Sequence, residues 1–224
     1  MAVILHINTA FQIASVFLSD DEKIIAETQN DSQKDHSSFL EPAIKKICSA
    51  AQLILNNIDA VCVVNGPGSY TGLRVGLSSA KALCYALQKP LILLNTLDVM
   101  AHSLKPQSPV QQKDVLFCPL IDARRMEVFT ALYDADLNII KNYTTEILDD
   151  RFLEEERKTK KVIAGGSGSI KLKEILNTDS IIYINTLFLS KPTVFLANKA
   201  FHSESFSSVA YSEPFYFKTV YFKK

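Results

Sequence analysis

Short apolar runs separated by polar breaks organise the first part of the chain. Runs at 3–9, 13–18 and 23–28, rich in β-branched residues and interrupted by Ser19-Asp20-Asp21-Glu22, predict a three-strand meander. Leu40, Ile44, Ile47 and Ala51 then recur at helical spacing and predict a helix over 37–53, with Asp35 or Ser37 as its N-cap. A buried strand at 60–65, a tight loop at 66–69, a helix over 71–87 and a strand at 91–94 follow.

After a stretch of Lys, Pro, Gln and Ser at 105–113, the opening pattern returns. Strands are predicted at 115–121, 127–133 and 139–145, then a charged helix over 148–158, a strand at 161–164, a glycine-rich loop, and a last helix starting near Pro192. Ile7-Asn8-Thr9 ends the first strand of one half, and Ile121-Asp122-Ala123 ends the first strand of the other. A β-β-β-α-β-α unit occurring twice implies a duplicated α/β fold of two sheets flanked by helices. The expected division is 1–104 and 105–224.

Gly66-Pro67-Gly68-Ser69-Tyr70-Thr71-Gly72 joins a strand to a helix, a place where free backbone N–H groups can cradle phosphate. Its spacing fits neither the P-loop nor the dinucleotide fingerprint, because Thr71 stands where each requires glycine. In the helix that follows, Gly72, Gly76 and Ala80 lie four apart, with Ser79 and Leu83 beside them. A glycine inside a helix costs about 1 kcal/mol relative to alanine, so two of them imply that something approaches closely. That neighbour is either another element of the same chain, such as the 37–53 helix, or a helix of a partner.

Gly165-Gly166-Ser167-Gly168-Ser169 misses the Gly-x-Ser-x-Gly nucleophile elbow by one residue and reads as a strand-to-helix turn. Asp122-Ala123-Arg124-Arg125-Met126-Glu127 puts a carboxylate beside two guanidinium groups, for binding an anion or for Asp–Arg pairing at a strand edge. His6, His36, His102 and His202 are too scattered for ligand spacing, and no HExxH or Ser-His-Asp signature occurs. Asp20-Asp21-Glu22 and Glu154-Glu155-Glu156 read as solvated charge runs.

Composition narrows the class. Of the 224 residues 47% are hydrophobic, enough for a real core, and 24 Lys plus Arg balance 24 Asp plus Glu. That neutrality argues against a stand-alone nucleic-acid binder, although Lys218, Lys223 and Lys224 make the C-terminus locally basic. Cys48, Cys62, Cys84 and Cys118 form no CxxC pair, which fits a reducing compartment. No leader-like start and no apolar stretch near 20 residues is seen, so a cytoplasmic location without membrane contact is expected.

Several segments together resemble the TsaB (YeaZ) family. They are Ile4-Leu5-His6-Ile7-Asn8-Thr9, His36-Ser37-Ser38-Phe39-Leu40-Glu41-Pro42-Ala43-Ile44, the stretch from Gly66 to Leu77, and Ile121-Asp122-Ala123-Arg124-Arg125-Met126-Glu127-Val128. The 165–168 loop and Pro214-Phe215-Tyr216-Phe217-Lys218 also fit. The resemblance implies an actin-like ATPase (ASKHA) fold with two tandem RNase H-like lobes. It also implies a non-catalytic dimerisation subunit that pairs with a TsaD-like catalytic paralogue and, with a TsaE-like ATPase, supports threonylcarbamoyl transfer to adenosine 37 of tRNA. The two helices of the first lobe would meet those of the paralogue in a helical bundle, with Leu40, Ile44, Ile47, Gly72, Gly76, Ser79, Ala80 and Leu83 as candidate contacts. A homodimer is a further possibility for the chain alone. The resemblance implies no catalytic or metal-binding residue and no cofactor held by this chain, with ATP admitted only at the level of the complex.

Two departures bear on chemistry. Where the catalytic paralogue carries its His-x3-His metal pair, this chain has Thr96 and Met100, with His102 alone and out of register. The family's Ile-Asp-Thr is Ile7-Asn8-Thr9 here, which removes a carboxylate from the first strand. The competing expectation is an ATP-binding or ATP-hydrolysing enzyme of the actin/sugar-kinase class with the 66–72 loop facing phosphate. Nothing in the sequence supports the glycoprotease label that some relatives have carried.

Overall fold

The computed structural model describes residues 2–30, 35–110, 113–185, 187 and 189–217. The lysines Lys218, Lys223 and Lys224 lie outside the described residues.

The chain forms two compact units, each built on a five-stranded mixed sheet. In unit 1, β1 (Val3–Asn8), β2 (Ser15–Asp20) and β3 (Lys23–Gln29) form an antiparallel meander. β4 (Ala60–Val64) and β5 (Leu91–Leu94) continue it in parallel from β1, giving the order β3-β2-β1-β4-β5. Unit 2 repeats the plan with β6 (Val115–Asp122), β7 (Glu127–Tyr133), β8 (Ile139–Ile147), β9 (Lys161–Gly165) and β10 (Ile181–Ile184) in the order β10-β9-β6-β7-β8. With β6 taken for β1, every pairing and its sense recur. The duplication read from the sequence is therefore real, and it is that of the two-lobed actin-like fold.

Helices cover the sheets because their apolar stripes have nowhere else to go. α1 (His36–Ala50) and α2 (Tyr70–Leu87) bury Leu40, Ile44, Ile47, Leu77, Ala80 and Cys84 against Leu5, Ile7, Val16, Val61 and Val63 on one face of sheet 1. α6 (Ser190–His202) packs against β5, β1 and β3 of the same sheet. Asp35 holds the N-cap position of α1, but its side chain makes no capping bond. In unit 2, Leu116, Cys118, Leu120, Val128, Val162 and Leu172 of α5 (Ser169–Ile175) form the core. The helix expected over 148–158 is only α4 (Glu154–Thr159), because Phe152 and Leu153 turn into that core and Leu153 is left-handed at φ 53°.

The unit boundary differs from the expected 1–104 and 105–224. Unit 1 is Met1–Thr96 with Ser190–Phe215, and unit 2 is Leu97–Leu189 with Tyr216–Lys224. Hydrogen bonds explain both shifts. Within α3 (Thr96–Leu104), the Asp98 carboxylate accepts from Tyr133 at 2.7 Å and from Tyr143 at 2.9 Å, which ties the helix to β7 and β8. That arrangement, with burial as the larger cause, pushes the Tyr133 phenol far above its ordinary range. The returning segment is held by Ser190 on Glu27, by Ser207 N–H on the Leu91 carbonyl and by Phe215 N–H on the Asn65 carbonyl. Neither anchor has a periodicity, so the pattern of hydrophobics does not reveal it. No helix among the described residues is long and apolar enough to cross a membrane.

On the α6 side of β1, His6 is fully buried, stacked on Phe17 with centroids 4.5 Å apart, and its Nε2 lies 2.8 Å from Ser19 Oγ. Burial lowers its pKa from 6.5 to about 3. The unfolded chain thus binds a proton below pH 6.5 that the folded chain refuses until about pH 3. Stability contributed by neutral His6 is full above pH 6.5 and falls with pH across that window, at up to ~1.4 kcal/mol per unit. Urea melts at pH 7 and pH 4.5 should therefore differ less for His6→Leu/Ser19→Ala than for the wild type.

Candidate partner interface

The position of α2 is set at its first turns. Ser69 caps the helix, its Oγ accepting from Gly72 N–H at 3.3 Å. Thr9, at the end of β1, donates its hydroxyl to the Gly72 carbonyl at 2.7 Å. A Cβ on Gly72 would collide with the Thr9 carbonyl, and one on Gly76 with the Thr9 hydroxyl. His36, the first residue of α1, closes the same corner, with Nε2 3.1 Å from the Phe11 carbonyl and Cδ2 against Gly72. The two helix glycines exist so that α2 can lie on the end of β1.

The expected contact set divides by burial. Leu40, Ile44, Ile47, Gly72, Gly76 and Ala80 are all buried within unit 1, and only Ser79 and Leu83 are half-exposed. The small-residue stripe is a site of close approach, and the neighbour is the chain's own strand. Helical periodicity cannot distinguish an inward stripe of glycines from an outward one.

The outward face of α2 is different. Thr71, Arg74, Ser78, Ala82, Tyr85 and Ala86 are exposed at spacings of three and four, with Val75 half-buried beside them. Small side chains thus occupy the middle of this face as well. Arg74 stacks on the Tyr70 ring at 4.2 Å at one end, and Tyr85, 82% exposed, stands at the other. Lys81 donates to the carbonyls of Ala210 and Ser212, each at 3.0 Å, so the returning segment braces the helix along one flank. α1 lies against α2 and exposes Glu41, paired with Lys45 at 2.7 Å, together with Lys46 and Ser49.

The loops that invite a chemical reading have their polar groups engaged. In the 66–72 loop, Ser69 N–H bonds the Ala10 carbonyl, the Gly66 carbonyl accepts from Thr96 N–H, and Gly66 and Gly68 sit tightly against Phe215 and Ala10. Asn65 Nδ2 is held by the Glu213 carbonyl. Asn8 is buried, and its Oδ1 accepts from Ala10 N–H at 3.2 Å, ending β1 with an Asx turn. Ser169 Oγ donates to the Gly166 carbonyl at 2.7 Å and Gly168 N–H bonds the Leu120 carbonyl, so the 165–169 loop is a helix-entry turn.

Thr96 and Met100 are fully buried, and His102 Nδ1 lies 2.9 Å from the Asp98 carbonyl. Among the described residues no three His, Cys, Asp or Glu are grouped to hold a metal ion. Burial pushes the thiols of Cys84 and Cys118 up to about 11 and about 12, and that of Cys62 higher still, which suits packing rather than nucleophilic attack. Of the expected Asp–Arg pairing at 122–125, the described residues show no close ion pair, only the Arg124 N–H bonded to Asp122 and a longer-range attraction from the Arg124 charge. Asp122 pairs with Lys171 instead.

Comparison with known proteins adds the family. The model described as TsaD, tRNA N6-adenosine threonylcarbamoyltransferase, matches residues 23–218. The tRNA threonylcarbamoyladenosine biosynthesis protein TsaB of Bacillus subtilis (strain 168) is 32% identical over 58% of this chain and 54% of its own length. The match thus spans only about half of that relative. The TsaB of Buchnera aphidicola subsp. Acyrthosiphon pisum is 29% identical over 78% of this chain and 80% of its own. A Pseudomonas aeruginosa crystal structure, described as an uncharacterized protein with similarity to peptidase YEAZ, superposes with a TM-score of 0.84 at 18% identity, covering 97% of this chain and 100% of that one.

Introducing Gly76→Ala forces a methyl group onto Thr9, so a loss of about 1–3 kcal/mol in chain stability is expected, measurable as a lower melting temperature of the isolated protein. An unchanged melting temperature would mean that α2 does not rest on β1 as described.

Proposed function

The chain belongs to the TsaD family and, within it, to the TsaB (YeaZ) proteins of tRNA threonylcarbamoyladenosine biosynthesis, and from that membership we propose a non-catalytic scaffold role. It holds a TsaD-type catalytic paralogue through the outward faces of α1 and α2. A TsaE-type ATPase and tRNA are further members of the assembly, which works in the cytoplasm on adenosine 37.

The observation that carries this reading is the outward face of α2. Thr71, Ser78, Ala82 and Ala86 keep it low enough for a second helix to approach closely, and they have little rotamer entropy to lose on docking. Tyr85 supplies an exposed aromatic of the kind that anchors interfaces. The revised contact set is therefore Thr71, Arg74, Val75, Ser78, Ala82 and Tyr85, with Ser79 and Leu83 at its margin. The buried residues of the earlier set act indirectly, by fixing the pose of the helix. The enzyme alternative is disfavoured because the Gly66 carbonyl and Ser69 N–H bond to the chain's own segments and the loop packs tightly on Ala10 and Phe215.

Ser78→Arg/Ala82→Arg should leave stability within about 0.5 kcal/mol, since both sites are exposed, yet abolish co-purification with the TsaD-type protein. Retention of the partner by this variant would sink the interface. Calorimetry of the isolated chain with Mg-ATP should give no binding heat, and turnover there would restore the enzyme reading.

A further inference from the structure

The two sheets end in the edge strands β3, β5, β8 and β10, and an edge strand offers unpaired backbone groups to any extended chain. The fold deals with the first three itself. β3 and β8 are blunted by irregularity, with a register shift between β2 and β3 at Leu18/Ser19 and two shifts between β7 and β8. β5 is covered by the returning segment of unit 1, where Ser207 N–H bonds the Leu91 carbonyl at 2.8 Å in an antiparallel bridge. β10 has neither protection. It pairs with β9 without a register shift, and among the described residues no strand or bridge lies on its other side.

The covered edge of unit 1 shows what fits the open edge of unit 2, because β4-α2-β5 and β9-α5-β10 are the same parallel crossover. Val61 N–H bonds the Pro90 carbonyl and Val162 N–H bonds the Ser180 carbonyl, so Ile181 takes the place of Leu91. Alternate residues of a parallel strand bond to one neighbour, so the Ile181 carbonyl and the main-chain groups of Tyr183 face the open side. In unit 1 the covering segment also packs Val209 against the core that α2 shares, and Lys81 of α2 donates to its Ala210 and Ser212 carbonyls. In unit 2 the corresponding space between α5 and β10 is a groove of about 430 Å3. Ile170, Lys173 and Glu174 of α5 line one side of it, and Tyr183 and Asn185 the other. Ile170 is 67% exposed, and the Lys173 ammonium stands 5.9 Å from the Tyr183 ring centroid. The Tyr183 hydroxyl donates to the Leu176 carbonyl at 2.6 Å, which fixes the ring as a firm apolar surface.

We infer that this groove takes an extended segment of a partner protein, added antiparallel to β10 as Ser207 is to Leu91. The segment is an uncharged strand with small apolar side chains at alternate positions, the chemistry that Ser207-Ser208-Val209 shows in unit 1. One such side chain lies against Ile170 and Tyr183, and Lys173 donates to main-chain carbonyls as Lys81 does. Main-chain pairing supplies the affinity, and the groove selects the side chain. The described end of the chain is engaged elsewhere, since Phe217 stacks on Phe129 of β7, with β6 and β9 between that strand and β10. This surface belongs to unit 2, whereas the α2 face belongs to unit 1, and it does not depend on the subunit reading.

The test selects random dodecapeptides displayed on phage against the full chain and measures the enriched peptides by fluorescence polarisation. These should carry apolar residues at alternate positions. They should slow amide exchange at Tyr183 by roughly tenfold or more, and leave Ile182, which faces β9, unchanged. Ile170→Glu sets a charge in the apolar wall, and Asn185→Pro removes an N–H that faces outward by the same alternation. Each should weaken the peptides by about tenfold. Both residues are exposed, so the melting temperature should stay that of the wild type. If Asn185→Pro fails to fold, Ile170→Glu and the exchange measurement still decide. Failure to enrich any peptide, or peptides that bind the folded variants as well as the wild type, overturns the proposal. So does binding that leaves Tyr183 exchange unchanged. A wild-type dimer that Ile170→Glu dissociates without peptide would assign the edge to a second copy and reject the partner segment. Displacement of the selected peptides by one copying residues 218–224 would assign it to the chain's own tail, with the same consequence.

Discussion

The contact between Thr9 and the first turns of α2 fixes more of unit 1 than any other single feature. A hydroxyl at the end of β1 donates to the Gly72 carbonyl, and Gly72 and Gly76 leave no side chain in between. Helix backbone therefore rests directly on strand backbone. His36 fills the remaining corner, so the start of α1 is registered against the start of α2 by the same contact. The conformational cost of two glycines within a helix is offset by this close approach. Everything proposed about the outward face of α2 depends on it, because rotating the helix by one residue would turn Leu77 toward solvent and Ser78 inward.

The duplicated plan makes the corresponding place in unit 2 instructive. The β1–β2 connection begins with Thr9, buried beneath Gly72 and Gly76 of α2, and Ala10, buried against Gly68 of the loop before it. The β6–β7 connection follows Asp122 and runs through two exposed arginines. The helix after the second glycine loop, α5, has seven residues against eighteen in α2, and it meets the strand end through Lys171 rather than through glycines. One topology thus presents a covered hairpin in the first unit and an open, charged one in the second. The difference lies in the side chains and helix length that follow each glycine loop. It does not lie in the sheet, whose pairings are the same.

The absence of obvious chemistry in the sequence has a physical counterpart in the way polar groups are used. Asn8 closes an Asx turn, Ser169 caps its own loop, and Asp98 receives two tyrosine hydroxyls. Cys62, Cys84 and Cys118 are buried where the thiolate is disfavoured. These groups each satisfy a structural demand, which is how buried polar atoms are ordinarily accommodated. Tyr85 on α2, which has no such internal use, faces outward.

The sequence alone determined the elements, their order and their repetition. Alternating apolar runs and helical spacing are local properties, and the fold obeys them closely from β1 to β5 and again from β6 to β9, whereas β10 carries no such signal. It also marked Gly72 and Gly76 as points of close approach, since a helix tolerates glycine poorly without a reason. What only the tertiary structure decided was direction and company. Whether a stripe of small residues faces the chain's own strand or the outside depends on how the helix is rotated about its axis, and that is set by Thr9, 63 residues away from Gly72. The return of 190–215 to the first unit, and the pairing of Asp122 with Lys171 rather than with its arginine neighbours, likewise rest on contacts between residues distant in sequence. Periodicity reports which faces a segment has, but which neighbour meets each face is settled by packing and hydrogen-bond satisfaction across the whole unit.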